Sequence, residues 1–354
     1  MTTKLKKLSD QIIVITGASS GIGLVTARMA AKKGASLVLA ARSEEALHQL
    51  TREIETDGGK AIYVVADVSN QDDVRRIAQT AQERFGGFDT WVNNSGVSIY
   101  GKIEEVPIED MRKLFETNVW GLIYGSLEAV KHLKQKGGAI INIGSILSES
   151  TAILQTIYSA SKHAVKGFTD GLRMELAMDE APVVVTLIKP AAIDTPYPLH
   201  AKNFMDREVQ HAPPAYAPET VARAILHCCE TPEREITVGG GGRAITALNH
   251  WVPSLVDKFM ENVFAKQEKA DYPAQALDQN GLDGPVGTLE ERGNYPGYTR
   301  ESSFYTAATT HPLVAAALIG AGVAITAALL GSSKNGGGSK HGTTTYPDGT
   351  REVH

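Results

Sequence analysis

Tyr158 and Lys162 stand four residues apart in the run Tyr158-Ser159-Ala160-Ser161-Lys162, a spacing that sets a phenol and an ammonium side by side on one helical face. A phenol with a pKa near 10 is a poor acid or base at neutral pH, and a neighbouring positive charge favours the phenolate and draws that pKa toward the working range. Ser145 follows the apolar run 139–143, at a strand end where a hydroxyl can hold a substrate oxygen. Asn118, in Thr117-Asn118-Val119-Trp120-Gly121, is a polar residue within an otherwise helical stretch. Taken singly, such residues are ordinary surface pairs and local backbone binders. In this order and on one scaffold they make an acid/base set for interconverting a hydroxyl and a carbonyl.

That chemistry needs a redox partner, and the N-terminal segment offers a place for one. Thr16-Gly17-Ala18-Ser19-Ser20-Gly21-Ile22-Gly23 follows a first strand and opens a first helix. Glycines there permit a tight turn and close approach of a pyrophosphate, whose charge sits at the helix N-terminus. At the end of the second strand, where an Asp or Glu would hold a free ribose 2′-hydroxyl, the chain has Ala40-Ala41 and then Arg42. A guanidinium grips a 2′-phosphate bidentately, so NADP(H) is expected over NAD(H), with Ser19 or Ser20 assisting. An oxidised nicotinamide near Tyr158 would further favour its phenolate.

The elements that must position these groups alternate regularly. Short β-rich runs at 12–15, 37–40, 61–66, 90–92, 139–143, 183–188 and 235–238 are separated by helical stretches that include 21–33, 72–85, 111–134, 158–178 and 218–229. Several runs are continuously apolar, as in strands covered on both faces. The pattern predicts an α/β fold with a doubly wound parallel sheet, a Rossmann fold of seven strands, over residues 8–245. An amphipathic helix follows at 243–266, with Ile245, Leu248, Val252, Leu255, Val256, Phe259, Met260 and Val263 as its apolar, core-facing stripe. The Gly-, Pro- and Asn-rich residues 271–310 read as a linker or a loosely packed arm, so 246–311 make a helix-and-linker arm.

Composition narrows the function classes. The 354 residues carry 35 Lys and Arg against 40 Asp and Glu, and a net charge of −5 argues against bulk nucleic-acid binding. The two cysteines, Cys228 and Cys229, are adjacent, which excludes an intrachain disulfide framework and a Cys-based zinc site; no metal is expected. The apolar run 12–15 is too short for a secretory signal, which needs about 7–15 apolar residues. Residues 313–331 contain no charge, close to the ~20 apolar residues of a span, and Ala316, Gly320, Ala324 and Ala328 form a smooth helical face. A membrane-contacting or transmembrane helix is therefore expected at 312–331, anchoring an otherwise cytoplasmic protein, with a disordered tail at 332–354.

Read together, the motifs resemble the classical short-chain dehydrogenase/reductase family across residues 8–245. The shared elements run in order: the turn 16–23, Asp67-Val68, Asn93-Asn94-Ser95-Gly96, Asn118, Ser145, Tyr158 with Lys162, and Lys189-Pro190 leading to Thr195. The resemblance implies that Tyr158 is the acid/base and that Ser145 orients and polarises the carbonyl. It also implies that Lys162 holds the nicotinamide ribose and that Asn118 keeps a water in a proton relay. Asp67 and Val68 would contact the adenine, backbone near Asn94, Ser95 and Gly96 the cofactor, and Pro190, Ile193 and Thr195 the nicotinamide. Two departures are Ser95, where the family has Ala, and Ala191, where it has Gly.

By the same resemblance the substrate pocket is built from 97–100, 146–155 and 196–216. These supply Ile99, Tyr100, Ile146, Leu147, Ile153, Leu154, Tyr197, Leu199, Phe204 and Tyr216, so a small hydrophobic carbonyl or alcohol is expected as substrate. A homodimer or homotetramer through 111–134 and 158–178 is also implied. The alternative reading is a non-catalytic, NADP(H)-sensing interaction protein on the same fold, which would show a broken catalytic set.

Overall fold

Apolar runs bounded by turn residues become the strands of one parallel sheet in the computed structural model, which describes residues 3–241, 248, 251–264, 269–286, 289–310, 343–345, 348 and 351–353. The strands are β1 (Ile12–Thr16), β2 (Ser36–Ala41), β3 (Lys60–Val65), β4 (Thr90–Asn93), β5 (Gly138–Ile143), β6 (Val183–Pro190) and β7 (Glu235–Val238). Their order is β7-β6-β5-β4-β1-β2-β3, and every pairing is parallel. The crossovers are α1 (Gly21–Lys32), α2 (Glu44–Thr56), α3 (Gln71–Phe85), α4 (Ile108–Phe115), α5 (Gly121–Lys136), α6 (Thr156–Met178) and α7 (Pro218–Glu230). The expected doubly wound sheet is present, its strand ends within two residues of those read from sequence.

Period-two alternation divides the core between the two faces of the sheet. Ile13, Ile15, Leu37 and Leu39 pack with Leu24 of α1, Leu47 and Leu50 of α2, and Ile225 of α7. Val14, Val38, Trp91 and Ile140 pack on the other face with Ile77 of α3, Leu133 of α5 and Leu172 of α6. α2 is absent from the helices set out above, although Ser43 caps it by accepting from the Ala46 amide at 3.4 Å and two acids open its first turn.

The expected helix 111–134 is interrupted. Between α4 and α5 lies a π-helical turn, Glu116–Trp120, which carries Asn118. The apolar stripe at 243–266 is also only partly as expected: Val256 and Met260 are buried, whereas Leu248, Val252 and Leu255 are exposed. Ile245 lies outside the described residues.

Of the two forms open to 271–310, the described residues there carry paired strands and buried side chains. Strand Lys269–Pro273 pairs antiparallel with Arg207–Val209, Thr299–Arg300 pairs with Ala215–Tyr216, and Asn280 and Leu282 are buried. Residues up to Thr306 form one compact unit with the sheet; in the second unit, Ala307–His354, a short antiparallel pair joins Thr343–Thr345 to Arg351–Val353.

The transmembrane expectation is corrected. No helix among the described residues is long and apolar enough to cross a membrane. The 23-residue α6 has the length, but it carries Lys162, Lys166, Asp170, Arg173 and Glu175. The segment 313–331 itself lies outside the described residues.

One buried polar network ties the strands to the helices behind them. Trp91 Nε1 donates to Asn93 Oδ1 at 2.8 Å, Asn93 Nδ2 donates to Asn142 Oδ1 at 2.8 Å, and Asn142 Nδ2 donates to Thr169 Oγ1 at 3.0 Å. Asn142→Leu removes partners from both neighbours, and a loss on the order of 2–4 kcal/mol in urea denaturation is expected. Ile108→Ala, at an exposed site, should change stability by less than about 0.5 kcal/mol; equal losses would contradict a structural role for the network.

Candidate active site

Strand order reverses between β1 and β4, and parallel sheets of this kind bind ligands at the carboxyl ends of the strands beside that point. The sequence secures the junction there with side chains. The Thr16 hydroxyl accepts the amides of Asn94 and Ser95 at 3.1 and 3.2 Å, and Asn94 Nδ2 donates to the carbonyls of Thr16 and Gly17 at 3.0 and 3.2 Å. Gly17 and Gly21 take positive φ values of 66° and 50°. A Cβ on Gly23 would lie 2.1 Å from the Gly17 carbonyl oxygen, so only glycine lets α1 start this close to the turn.

The turn opens onto a cleft of about 1340 Å³, open mouth included. Gly17, Ser19, Ser20, Gly21 and Ile22 line one end, with Arg42 after β2 and Asp67 and Val68 after β3. Asn94, Ser95 and Gly96 form the floor, and Pro190, Ile193 and Thr195 stand beyond β6. Gly23 is buried behind the turn. Asp67 Oδ1 accepts from the Ser69 amide and hydroxyl at 2.9 and 2.7 Å, which fixes the β3 exit.

At the other end of the cleft are Ser145, Tyr158 and Lys162. Ser145 caps a 3₁₀ turn, Ile146–Ser148: its Oγ accepts the Leu147 amide at 3.1 Å, and its own amide donates to Ser148 Oγ at 3.2 Å. Lys162 Nζ donates to the Ile143 carbonyl at 3.0 Å and lies 5.6 Å from the centre of the Tyr158 ring. Burial brings the Lys162 ammonium down to about 8. Burial also raises the Tyr158 phenol, while the hydroxyls of Tyr197 and Ser145 pull it the other way. In the protein alone Tyr158 is thus held as a neutral acid, the reverse of the direction expected with a cation beside it, because desolvation outweighs the two hydroxyl contacts.

Asn118 is on the π-helical turn and does not line the cleft. Its Oδ1 accepts the Val97 amide at 2.8 Å, and its Nδ2 donates to the Val97 carbonyl at 2.9 Å and to Ser161 Oγ at 3.2 Å. It fastens the segment after β4 to α6, at the residue directly before Lys162.

Of the ten side chains expected at the substrate mouth, only Tyr197 lines the cleft. Ile99 and Leu147 are packed with Val106 and Leu114, and Tyr100 with Val209, because these apolar groups bury one another. Ser98, His200 and His211 stand on the wall instead, none of them marked by any spacing in the sequence. Burial pushes His211 down to about 4; it also lowers His200, with Arg42 acting in the same direction and Glu290 opposing.

The arm closes one side. Gly281, Pro285 and Val286 line the cleft, Arg42 Nη2 donates to the Gly281 carbonyl, and the Gly281 amide donates to the His200 carbonyl at 2.7 Å. The Gly21 amide donates to the Glu290 carbonyl at 2.8 Å, and the Leu289 amide to the Ser19 carbonyl at 3.2 Å. Ion pairs hold the arm down: Glu291 to Arg28 at 2.7 Å, Arg292 to Glu219 at 3.0 Å, and Asp283 to Lys113 and Lys202 at 2.6 and 2.8 Å.

A parallel sheet opened at its switch point beside a serine and a tyrosine–lysine helix places the protein among the dinucleotide-dependent oxidoreductases. Within that class the chain belongs to the short chain dehydrogenase family, whose sequence model matches residues 11–203. An uncharacterized oxidoreductase of Bacillus subtilis, YxnA, is 47% identical over 328 residues, 92% of each chain. An uncharacterized oxidoreductase of Staphylococcus aureus is 35% identical over 236 residues, 65% of this chain and 97% of that one. Among solved structures, an alcohol dehydrogenase from Thermococcus sibiricus complexed with 5-hydroxy-NADP is similar at a TM-score of 0.58 and 25% identity, covering 64% of this chain and 95% of that chain. L-Sorbose reductase from Gluconobacter frateurii, complexed with NADPH and L-sorbose, is similar at a TM-score of 0.58 and 26% identity, covering 68% and 98%.

His211 carries a pH consequence. Its native pKa of about 4 lies below the ordinary 6.5, so between these values the unfolded chain takes up a proton that the folded one refuses. Stability from this group is complete above pH 6.5 and is lost as the pH falls toward 4. Thermal melts of His211→Gln should therefore lose less Tm between pH 7 and 4.5 than the wild type; identical losses would contradict a buried neutral imidazole.

Proposed function

We propose that the protein is an NADP(H)-dependent oxidoreductase that interconverts a hydroxyl and a carbonyl on a small molecule, with Tyr158 as general acid/base. The carrying observation is that Ser145, Tyr158 and Lys162 converge in the same cleft as the glycine turn and Arg42. The left-handed turn at Gly17 and the absent Cβ of Gly23, in a cleft lined by both ends of the motif set, support a dinucleotide site. When bound, the nicotinamide supplies or receives the hydride.

The residues of the chain handle the substrate oxygen and its proton. Ser145 Oγ accepts from Leu147, which leaves its O–H to donate to the carbonyl oxygen. In reduction, Tyr158 gives its proton to the oxygen as negative charge develops there; in oxidation, the phenolate takes the proton back. Lys162, anchored on the Ile143 carbonyl, stabilises that phenolate and is in position to hold the nicotinamide ribose. Asn118 supports the relay by holding Val97 and Ser161 about it. Substituting Tyr158→Phe removes the transferable proton without changing the ring. It should lower kcat for NADPH oxidation with an accepted ketone by on the order of 10²–10⁴, and retention of full activity would contradict the assignment.

NADP(H) over NAD(H) is favoured by Arg42 after Ala40-Ala41, with no acid at the end of β2. One of its five N–H donors is used by Gly281, and among the described residues no hydrogen bond takes up the others. Arg42→Ala should weaken NADPH about 10-fold or more and leave NADH binding nearly unchanged in fluorescence titrations; equal losses would contradict a 2′-phosphate contact.

Self-association through α5 and α6 belongs to the same reading. Trp120, Leu127, Met174 and Met178 are exposed there, between 43% and 79%. Light scattering should give a dimer or tetramer, and Leu127→Glu with Met174→Glu should give monomer; a monomeric wild type would contradict it.

A further inference from the structure

Three polar atoms on the wall of the cleft are buried and complete no hydrogen bond of ordinary geometry among the described residues: Ser98 Oγ, Tyr197 Oη and His211 Nε2. The Tyr197 hydroxyl approaches those of Tyr158 and Ser98, but neither approach closes into a full bond. All three residues line the cleft that holds Ser145 and Tyr158. Ser98 is 1% exposed, so its hydroxyl has no bulk water to turn to. The rings of Tyr197 and Tyr158 are 6.1 Å apart, and the Tyr197 hydroxyl lies 4.0 Å from where a Cβ on Gly96 would stand. His211 meets Tyr295 of the arm edge to face, ring centres 6.4 Å apart.

Leaving a buried polar group unpaired costs about 1–3 kcal/mol. Three such groups in one cavity, beside the reacting serine and tyrosine, are the signature of a site whose partners arrive with the ligand. Ile99, Tyr100 and Leu147, which would favour a hydrocarbon, are packed into the protein instead of onto the cleft. A ligand hydroxyl matches each of these atoms: it can donate to His211 Nε2 or to Tyr197, and accept from Ser98.

We propose that Ser98, Tyr197 and His211 determine substrate specificity by binding hydroxyl groups, and that the substrate is a small polyhydroxylated ketone and its product the corresponding polyol. This deepens the oxidoreductase reading and rests on it for the reaction itself. The reaction balances in the ordinary way: a hydride from NADPH to the carbonyl carbon, a proton from Tyr158 to its oxygen, NADP⁺ released. At neutral pH His211 is an uncharged donor–acceptor, suited to a neutral sugar-like ligand and not to a carboxylate.

Matched substrates test it. A ketohexose is set against 2-hexanone, and 1,3-dihydroxyacetone against acetone, each with NADPH. The hydroxylated member of each pair should have a kcat/KM at least about 100-fold higher, because a site built to bond a hydroxyl rejects the analogue without it. Ser98→Ala, Tyr197→Phe and His211→Leu should each cut that ratio about 10-fold, with His211→Asn recovering part of it. Equal or reversed preference, or ratios unchanged in all three variants, would overturn the proposal. Binding is read separately in Tyr158→Phe with NADP⁺, where a hexitol should raise Tm and the added Ser98→Ala should abolish the shift. No hexitol shift would overturn the proposal whatever the turnover. A hexitol shift with no NADPH oxidation by either series would uphold the pocket and contradict the oxidoreductase reading instead.

Discussion

Where β1 and β4 lie side by side, their crossovers leave in opposite directions, and the space that opens between them is held to shape by Thr16 and Asn94, which bond each other's backbones across the gap. Parallel strands satisfy their amides along the ladder, but at their carboxyl ends those groups run out of partners. The two side chains supply the missing bonds, and so the glycine turn above β1 is fixed without filling the cleft below it. Gly23 completes the arrangement by letting the first turn of α1 rest on the Gly17 carbonyl. The position of every other group follows: Arg42 and Asp67 at the ends of β2 and β3, Ser145 beyond β5, and Pro190 at the end of β6.

The second constraint is the arm. Its ion pairs reach α1, α4 and α7, and its carbonyls take up Arg42 and the Gly21 amide at the cofactor end of the cleft. Farther along, Tyr295 meets His211 at the substrate end. One segment thus touches both halves of the cleft, and the properties of the site belong to the whole unit and not to the dinucleotide fold alone. The Staphylococcus relative is matched over only 236 residues, whereas the Bacillus relative is matched over 328.

Much of this was legible in the sequence because the strands are apolar runs of the right length and the motif residues sit at their ends. The Tyr158–Lys162 pair was visible from helical spacing alone. Three features were not. The break at Asn118 arises from a long-range bond to Val97, which no local periodicity reports. The arm is rich in Gly, Pro and Asn, a composition that signals irregular backbone; irregular backbone is compatible with burial, as Asn280 and Leu282 demonstrate. The apolar residues of the loops after β4, β5 and β6 suggested an oily mouth, yet Ile99 and Leu147 found partners in each other's neighbourhood and left Ser98 and His211 facing inward. The stripe at 243–266 shows the same gap between pattern and cover: its spacing is helical, but Leu248 and Leu255 remain at the surface.

Burial raises the Tyr158 phenol and lowers the Lys162 ammonium, so without a bound cofactor Tyr158 is held in its protonated form. The claim at the centre of this account is that a hydride reaches a carbonyl carbon in this cleft while that proton reaches its oxygen. Isotope transfer tests it most directly: NADPH deuterated at both C4 positions is incubated with the protein and a ketone, and the product is weighed by mass spectrometry. The account predicts an alcohol carrying one deuterium on its carbinol carbon. NADPH consumed with no deuterium in the product would contradict it.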